Sequence, residues 1–154
     1  MVKNIYLHLP FCLRKCRYCD FAVHAIGQST SQPEYQPLKD KYSSYLQREI
    51  DHWQRKVKPG LYDTVYFGGG TPSIYEPSEL NQILSQLERS TDCETTLELD
   101  PGTFDYPKLK GYLEAGFSRF SCGIQTLQPR EFANLGRGHS FAECQEALEL
   151  LSKV

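Results

Sequence analysis

Three cysteines stand close together near the start of this 154-residue chain: Cys12, Cys16 and Cys19, with the spacing C-x3-C-x2-C. Thiolates from one short loop can bind separate corners of an iron–sulfur cube, and such clusters usually take four cysteine ligands. Three cysteines would leave one iron with an open position, which is where a metal centre performs chemistry. The spacing therefore favours a [4Fe–4S] cluster with one reactive corner.

Other interpretations of this cysteine loop stay open on spacing alone. Zinc would need a fourth ligand, which His8 or His24 could supply, although a histidine beside an apolar strand is more often packed in the core. Disulfides are disfavoured, because the chain shows no export signal and three cysteines crowd into one loop. The cations Arg14, Lys15 and Arg17 flank the thiols and are expected to lower their pKa.

Strand and helix patterns alternate along the chain, as judged from the periodicity of apolar residues. The predicted strands are 5–9, 64–67, 95–99 and 119–124. Helices are predicted from Leu38 to Trp53, from Pro77 to Leu87, from Tyr106 to Leu113, from Pro129 to Leu135, and after a capping box formed by Ser140 and Glu143. The polar stretch from Gly27 to Pro37 is predicted to be an exposed loop.

The alternation predicts an α/β fold with parallel strands joined by right-handed crossovers. An open three-layer sheet and a barrel both fit, and the motifs favour a partial TIM-type (βα) barrel. Barrels place functional groups at the carboxyl ends of their strands, where Cys12, Gly68, Glu98 and Gln125 fall. Only about four βα units are present, and an uncovered sheet edge promotes aggregation. We therefore expect residues 1–154 to be the N-terminal part of a barrel domain, truncated from a longer protein.

Composition and charge exclude several classes of function. The formal net charge is −2 and the basic residues are scattered, so nothing indicates nucleic-acid binding. No apolar stretch approaches the length of a membrane span, and the N-terminus lacks the apolar core of a signal peptide. The expected location is the cytoplasm.

The cysteine loop, with Tyr18 before its last cysteine, resembles the signature of the radical S-adenosylmethionine (SAM) superfamily. The wider string from Ile5 to Cys12 is similar to the branch that contains oxygen-independent coproporphyrinogen III dehydrogenase and the HemW-type heme chaperones. Four further motifs match that branch in order and extend the resemblance over most of the chain. They are Gly68-Gly69-Gly70-Thr71-Pro72-Ser73, Glu98-Leu99-Asp100-Pro101-Gly102-Thr103, Gly123-Ile124-Gln125 and Gly136-Arg137-Gly138-His139.

The resemblance implies a set of cofactor-binding residues. Cys12, Cys16 and Cys19 would ligate the cluster, whose open iron would take the amino and carboxylate groups of SAM. One electron from the cluster would then cleave the sulfonium into methionine and a 5′-deoxyadenosyl radical. No catalytic residue is implied beyond the cluster. SAM contacts are implied for Gly69, Gly70, Thr71, Glu98, Gln125 and Arg137, and contacts to the cluster or the adenine for Tyr6 and Tyr18.

The same residues also have purely structural interpretations. The glycines could form a tight turn, and the two tyrosines could be ordinary aromatic core. Glu98 needs a partner in its apolar strand, and an ion pair with Arg119 would supply one. Gln125 could be a turn amide and Arg137 a surface cation. The remaining cysteines are expected to be unligated: Cys93, Cys122 and Cys144.

Phe21 separates two functions within the branch. The dehydrogenases have a further cysteine at this position, so the resemblance favours a heme chaperone over an oxygen-independent coproporphyrinogen III dehydrogenase. A small zinc-binding interaction module is the alternative from another class. Heme is expected only for the full-length protein, because the heme-associated H-N-x-x-Y-W motif is not in this sequence. The implied partners are reduced flavodoxin or ferredoxin, heme or a porphyrin, and a membrane-associated heme acceptor.

Overall fold

A computed structural model describes residues 2–27, 35–57 and 60–154 of the chain. The predicted alternation of strands and helices is confirmed. The strands are β1 (Asn4–Leu9), β2 (Phe11–Cys12), β3 (His24–Ala25), β4 (Tyr62–Gly69), β5 (Arg89–Leu99) and β6 (Arg119–Cys122). The helices are α1 (Gln36–Val57), α2 (Pro77–Leu84), α3 (Tyr106–Glu114), α4 (Pro129–Leu135) and α5 (Phe141–Leu151), and a 3-10 turn spans Pro72–Ile74.

The strands β1, β4, β5 and β6 form one parallel sheet whose order follows the chain. The helices α1, α2 and α3 each connect one strand of this sheet to the next. All four strands therefore end at the same edge, as they do in a (βα) barrel. The short strands β2 and β3 pair separately and close the cysteine loop between Cys12 and His24. This pair was not predicted, because two-residue strands leave no periodicity to detect.

The sheet has an apolar face and a polar face, because side chains alternate along each strand. Leu9, Phe67 and Leu97 are fully buried on the apolar face. Phe67 packs edge-on against Phe117, with ring centroids 5.1 Å apart. Tyr66 points the other way and bonds with Glu98, so the polar face leads to the carboxyl ends of the strands.

The start of α5 carries the cap that its sequence predicts. Ser140 and Glu143 form the expected capping box at the start of α5. Of the predicted loop from Gly27 to Pro37, residues 28–34 lie outside the described part of the chain, and α1 already begins at Gln36. Within the described residues, no helix is both long and apolar enough to cross a bilayer.

Candidate functional site

A cavity of about 340 Å³ lies where the strands β4, β5 and β6 end. Its walls are the cysteine loop, the glycine-rich loop after β4, the ends of β5 and β6, and the turn between α4 and α5. It collects all but one of the predicted site residues: Cys12, Cys16, Tyr18, Cys19, Gly69, Gly70, Thr71, Glu98, Gln125 and Arg137.

The three thiols of the cysteine loop reach this cavity from different points. Cys12 ends β2 and is buried, while Cys16 and Cys19 are partly exposed. The N–H of Cys19 donates to the carbonyl of Cys16 at 3.2 Å and closes a turn between them. All six cysteines of the chain are free thiols. Three unpaired thiols on the wall of one cavity are a donor set that fits an iron–sulfur cluster.

The thiol of Cys12 differs from the sequence expectation. Burial raises its pKa, and the hydroxyl of Thr71, which donates to Sγ at 3.4 Å, only partly opposes this rise. The prediction that nearby cations lower the pKa is wrong for Cys12, because Arg14, Lys15 and Arg17 are exposed while this thiol is buried. A metal that binds Cys12 must therefore displace the proton of a buried thiol.

Of the two histidines considered as zinc ligands, His8 is engaged in other hydrogen bonds. His8 has both ring nitrogens occupied, Nδ1 by the Tyr6 hydroxyl at 3.1 Å and Nε2 by the Ala22 carbonyl at 2.8 Å. His24 packs edge-on against Phe11. Among the described residues, no three His, Cys, Asp or Glu side chains are placed to hold one metal ion. A cube binds each thiolate through a different iron, so its ligands stand farther apart than those of a single ion.

The glycine-rich loop lies directly against the cysteine loop. The N–H of Gly70 donates to the carbonyl of Leu9 at 2.7 Å, and a Cβ at Gly70 would stand 2.6 Å from the carbonyl oxygen of Phe11. Gly69 has a φ of +114°, and a Cβ there would meet the His8 ring at 2.6 Å. Only residues without side chains allow this approach, so these glycines do more than form a tight turn.

Glu98 faces the cavity with neutral partners. The Tyr66 hydroxyl donates to its Oε1 at 2.8 Å and the Gly69 N–H donates to its Oε2 at 3.1 Å. The ion pair considered with Arg119 is not formed, because Arg119 pairs with Glu94 at 3.7 Å. The carboxylate of Glu98 is therefore oriented toward the cavity and able to accept further bonds from a cationic ligand.

Arg137 is not the surface cation of the structural interpretation, since its side chain is only 7% exposed. Its guanidinium donates to the carboxylate of Asp100, to the hydroxyl of Tyr18 at 2.7 Å and to the carbonyl of Gly123. Burial opposes its charge, but Asp100 and Tyr18 outweigh burial and raise the pKa of Arg137. Arg137 therefore stays charged and joins the ends of β5 and β6 to the cysteine loop.

Gln125 reaches the cavity through an unusual backbone conformation. Its φ of 67° lies in the left-handed region, which few residues other than glycine adopt. Residues with such strained backbone conformations are frequent at functional sites, where the surrounding structure stabilises them. The turn after β6 thus directs Gln125 into the cavity wall.

Tyr6 is the predicted site residue that lies outside the cavity. Its ring stacks on Tyr66 with centroids 5.9 Å apart and is half exposed. It borders a separate apolar groove of about 390 Å³ between β1 and α1. Its connection to the site passes through Tyr66 to Glu98.

Sequence reasoning missed Asp100 and His139 as site residues, although both lie in the quoted motifs. Nδ1 of His139 lies 3.5 Å from Oδ1 of Asp100, and both residues line the cavity. The position of Asp100, directly after the end of β5, was the available signal. Cys122, predicted to be unligated, also lines the cavity, and burial raises its pKa to about 11.

The sheet and cavity together define a (βα) barrel protein that carries its site at the carboxyl ends of the strands. The chain belongs to the radical SAM superfamily, whose sequence model matches residues 6–154. The predicted family is thereby confirmed.

Three similar proteins indicate the branch of the superfamily to which the chain is related. The chain is 34% identical to "Heme chaperone HemW" of Haemophilus influenzae, over 96% of this chain and 39% of that protein. It is 37% identical to the protein of the same name from Synechocystis, over 96% of this chain and 36% of the relative. It is 31% identical to the Escherichia coli heme chaperone HemW, over 97% and 39% of the two chains. The chain thus spans somewhat over a third of the length of these relatives.

A solved structure has the same fold. Coproporphyrinogen III oxidase (HemN) from Escherichia coli, described as a radical SAM enzyme, matches with a TM-score of 0.80 and 22% sequence identity. The match covers 98% of this chain and 34% of that one. The likeness confirms the predicted partial barrel of parallel strands.

Proposed function

We propose that this chain binds a [4Fe–4S] cluster through Cys12, Cys16 and Cys19 and binds SAM beside it, as the radical SAM part of a HemW-type heme chaperone. The observation that carries the proposal is the gathering of three free thiols, the glycine-rich loop and two opposite charges around one cavity. Membership of the superfamily supports both cofactors, and the names of the relatives support the connection to heme.

Opposite charges on the cavity wall suit the zwitterionic end of SAM. The carboxylate of Glu98 can accept from an ammonium group, and the planar guanidinium of Arg137 suits a carboxylate. The present partners of Glu98, Tyr66 and Gly69, are neutral, so a ligand ammonium would complete a charge pair. The glycine-rich loop lines the same cavity, with no side chain at Gly69 or Gly70 to block a ligand.

The bound cluster and SAM would supply reductive cleavage chemistry, and the residues of the chain bind, orient and shield them. Cys12 is the most buried of the three proposed ligands, and Thr71 donates to its sulfur. Asp100 holds the guanidinium of Arg137 at the cavity wall. These contacts fix two sides of the site before any ligand arrives, which lowers the entropic cost of binding.

Phe21 supports the heme-chaperone assignment over the coproporphyrinogen dehydrogenase. It lines the cavity with 60% of its surface exposed, at the position where the dehydrogenase type carries a further cysteine. Heme binding, an electron donor of the flavodoxin or ferredoxin kind, a membrane-associated heme acceptor and a cytoplasmic location are proposals for the whole protein. The H-N-x-x-Y-W motif that is associated with heme in this branch is not in the present sequence.

Anaerobic reconstitution with iron and sulfide tests the cluster. The chain should hold roughly four irons with matching sulfide, as a cubane cluster does. Cys16→Ala should lose most of this iron. Cys93→Ala is the matched control, because Cys93 is a free thiol away from the cavity. A full cluster in Cys16→Ala, or one zinc without sulfide in the unmodified chain, would contradict the proposal.

A further inference from the structure

The middle of the cysteine loop, residues 13–18, rests on one turn of the protein. In the part of the chain that the structure describes, the hydrogen bonds that connect these residues to the chain outside the cysteine loop end on Leu135, the last residue of α4, or on Arg137 in the turn that follows. The two ends of the loop are held separately, by the pairing of β2 with β3. The middle of the loop, which includes Cys16, therefore takes its position from this turn.

We propose that residues 135–138 act as a clamp that sets the position of the Cys16 thiol, with Arg14 as a positioning residue. This inference rests on the proposed cluster. The clamp makes three bonds to the loop. The N–H of Arg17 donates to the carbonyl of Leu135 at 3.1 Å, Nη1 of Arg14 donates to the carbonyl of Arg137 at 3.0 Å, and Nη1 of Arg137 donates to the Tyr18 hydroxyl at 2.7 Å.

The two glycines of the clamp permit this close contact. Gly136 has a φ of 67°, and a Cβ there would stand 2.9 Å from Cγ of Arg17. A Cβ at Gly138 would stand 3.0 Å from Cδ of Arg14. Glycine at 136 is favoured by the backbone conformation, and a Cβ at either position would crowd an arginine side chain of the cysteine loop.

The clamp reaches a proposed cluster ligand through the two residues that follow it in the chain. The N–H of Arg17, directly after Cys16, donates to the carbonyl of Leu135, and the Tyr18 hydroxyl accepts from Arg137. Arg14 contacts the same turn by donating to the backbone carbonyl of Arg137. Because its partner is a carbonyl, Arg14 acts through the geometry of one hydrogen bond. Its neighbour Lys15 is exposed and carries the same charge, which makes it a matched control.

The rate of cluster loss tests the clamp. The reconstituted chain and the variants Arg14→Ala, Arg14→Lys and Lys15→Ala are mixed anaerobically with an iron chelator, and the visible absorption of the cluster is followed. Arg14→Ala should lose its cluster roughly five- to tenfold faster, because one exposed hydrogen bond is lost. Arg14→Lys should stay near the original rate, since an ammonium can donate to the same carbonyl. Lys15→Ala should be unchanged.

Several outcomes would overturn the clamp. An unchanged rate in Arg14→Ala removes the role of Arg14, and equal acceleration in Lys15→Ala assigns the effect to loop charge. Gly136→Ala displaces the clamp without changing charge, so an unchanged rate in that variant also contradicts it. The unfolding midpoints of the metal-free variants, which should agree within a few degrees, separate this effect from global stability. A chain that assembles no cluster at all refutes the proposed function, whereas a stable cluster indifferent to Arg14 refutes the clamp alone.

Discussion

The hydroxyl of Thr71 donates a hydrogen bond to the Sγ of Cys12 at 3.4 Å, and both residues are buried. This bond ties the glycine-rich loop after β4 to the first of the proposed cluster ligands. The two residues that it joins are 59 positions apart in the chain.

Removing that bond should lower the reduction potential of the cluster. Hydrogen bonds to cluster sulfurs stabilise the reduced, more negative state. Thr71→Val, which keeps the shape of the side chain, should shift the midpoint negatively by about 40 mV, the equivalent of about 1 kcal/mol for one electron. Thr71→Ser keeps the hydroxyl and should stay near the original value. A redox titration monitored by electron paramagnetic resonance (EPR) measures this, and equal potentials in all three chains would refute the role of Thr71.

Glu98 should contribute to SAM affinity through its charge. Glu98→Gln keeps an acceptor for Tyr66 but removes the negative charge, so the Kd for SAM should rise at least about tenfold. Glu94→Gln is the control, because Glu94 lies on the same face of β5 but pairs with the exposed Arg119. Equilibrium binding to the reconstituted chain gives both values. Unchanged affinity in Glu98→Gln would exclude a contact with the ammonium group.

Ser73 should stabilise the fold independently of any cofactor. Its fully buried hydroxyl accepts from the N–H of Asp100 at 3.0 Å and bonds with the hydroxyl of Thr103. Ser73→Ala removes the acceptor of the Asp100 N–H, while Thr103 keeps its bond to the carbonyl of Asp100, and should lower the free energy of unfolding by about 1–3 kcal/mol. Ser44→Ala, on the exposed surface of α1, should change it by less than about 0.5 kcal/mol. Urea denaturation of the metal-free chain compares them, and equal stabilities would contradict this account.

Gly70 should tolerate substitution less well than Gly123. A Cβ at Gly70 would stand within 2.6–2.8 Å of the backbone of Pro10 and Phe11, which cannot move aside easily. A Cβ at Gly123 would meet its neighbours at 3.4–3.6 Å, close to ordinary contact. Gly70→Ala should therefore displace the cysteine loop and reduce iron incorporation, and Gly123→Ala should retain most of it. The iron and sulfide content per chain distinguishes the two variants. Equal loss of iron in Gly70→Ala and Gly123→Ala would contradict the close approach of Gly70 to the cysteine loop.

The sequence predicted those parts of the fold that depend on local patterns. The helical periodicity of α1, the capping box of Ser140 with Glu143, and the buried strands β1 and β4 are all visible in short windows. Within the described residues β5 begins at Arg89, earlier than its apolar stretch indicates, because its first half is polar and partly exposed.

The rest of the site depends on contacts between distant residues, which a single sequence does not show. Asp100 and Arg137 are 37 positions apart, and their pairing requires the turn between α4 and α5 to lie at the end of β5. The raised pKa of Cys12 follows from burial, whereas the sequence shows only the cations nearby. Tyr6 lies in the middle of β1, whereas the cavity is at the carboxyl ends of the strands. Tyr6 therefore lies outside the cavity.

The most direct test of the account is the EPR spectrum of the reduced, reconstituted chain with and without SAM. If three cysteines hold the cluster and its remaining iron faces the cavity, SAM should change the spectrum, and Arg137→Ala should weaken that change. A spectrum that is identical with and without saturating SAM would contradict the account.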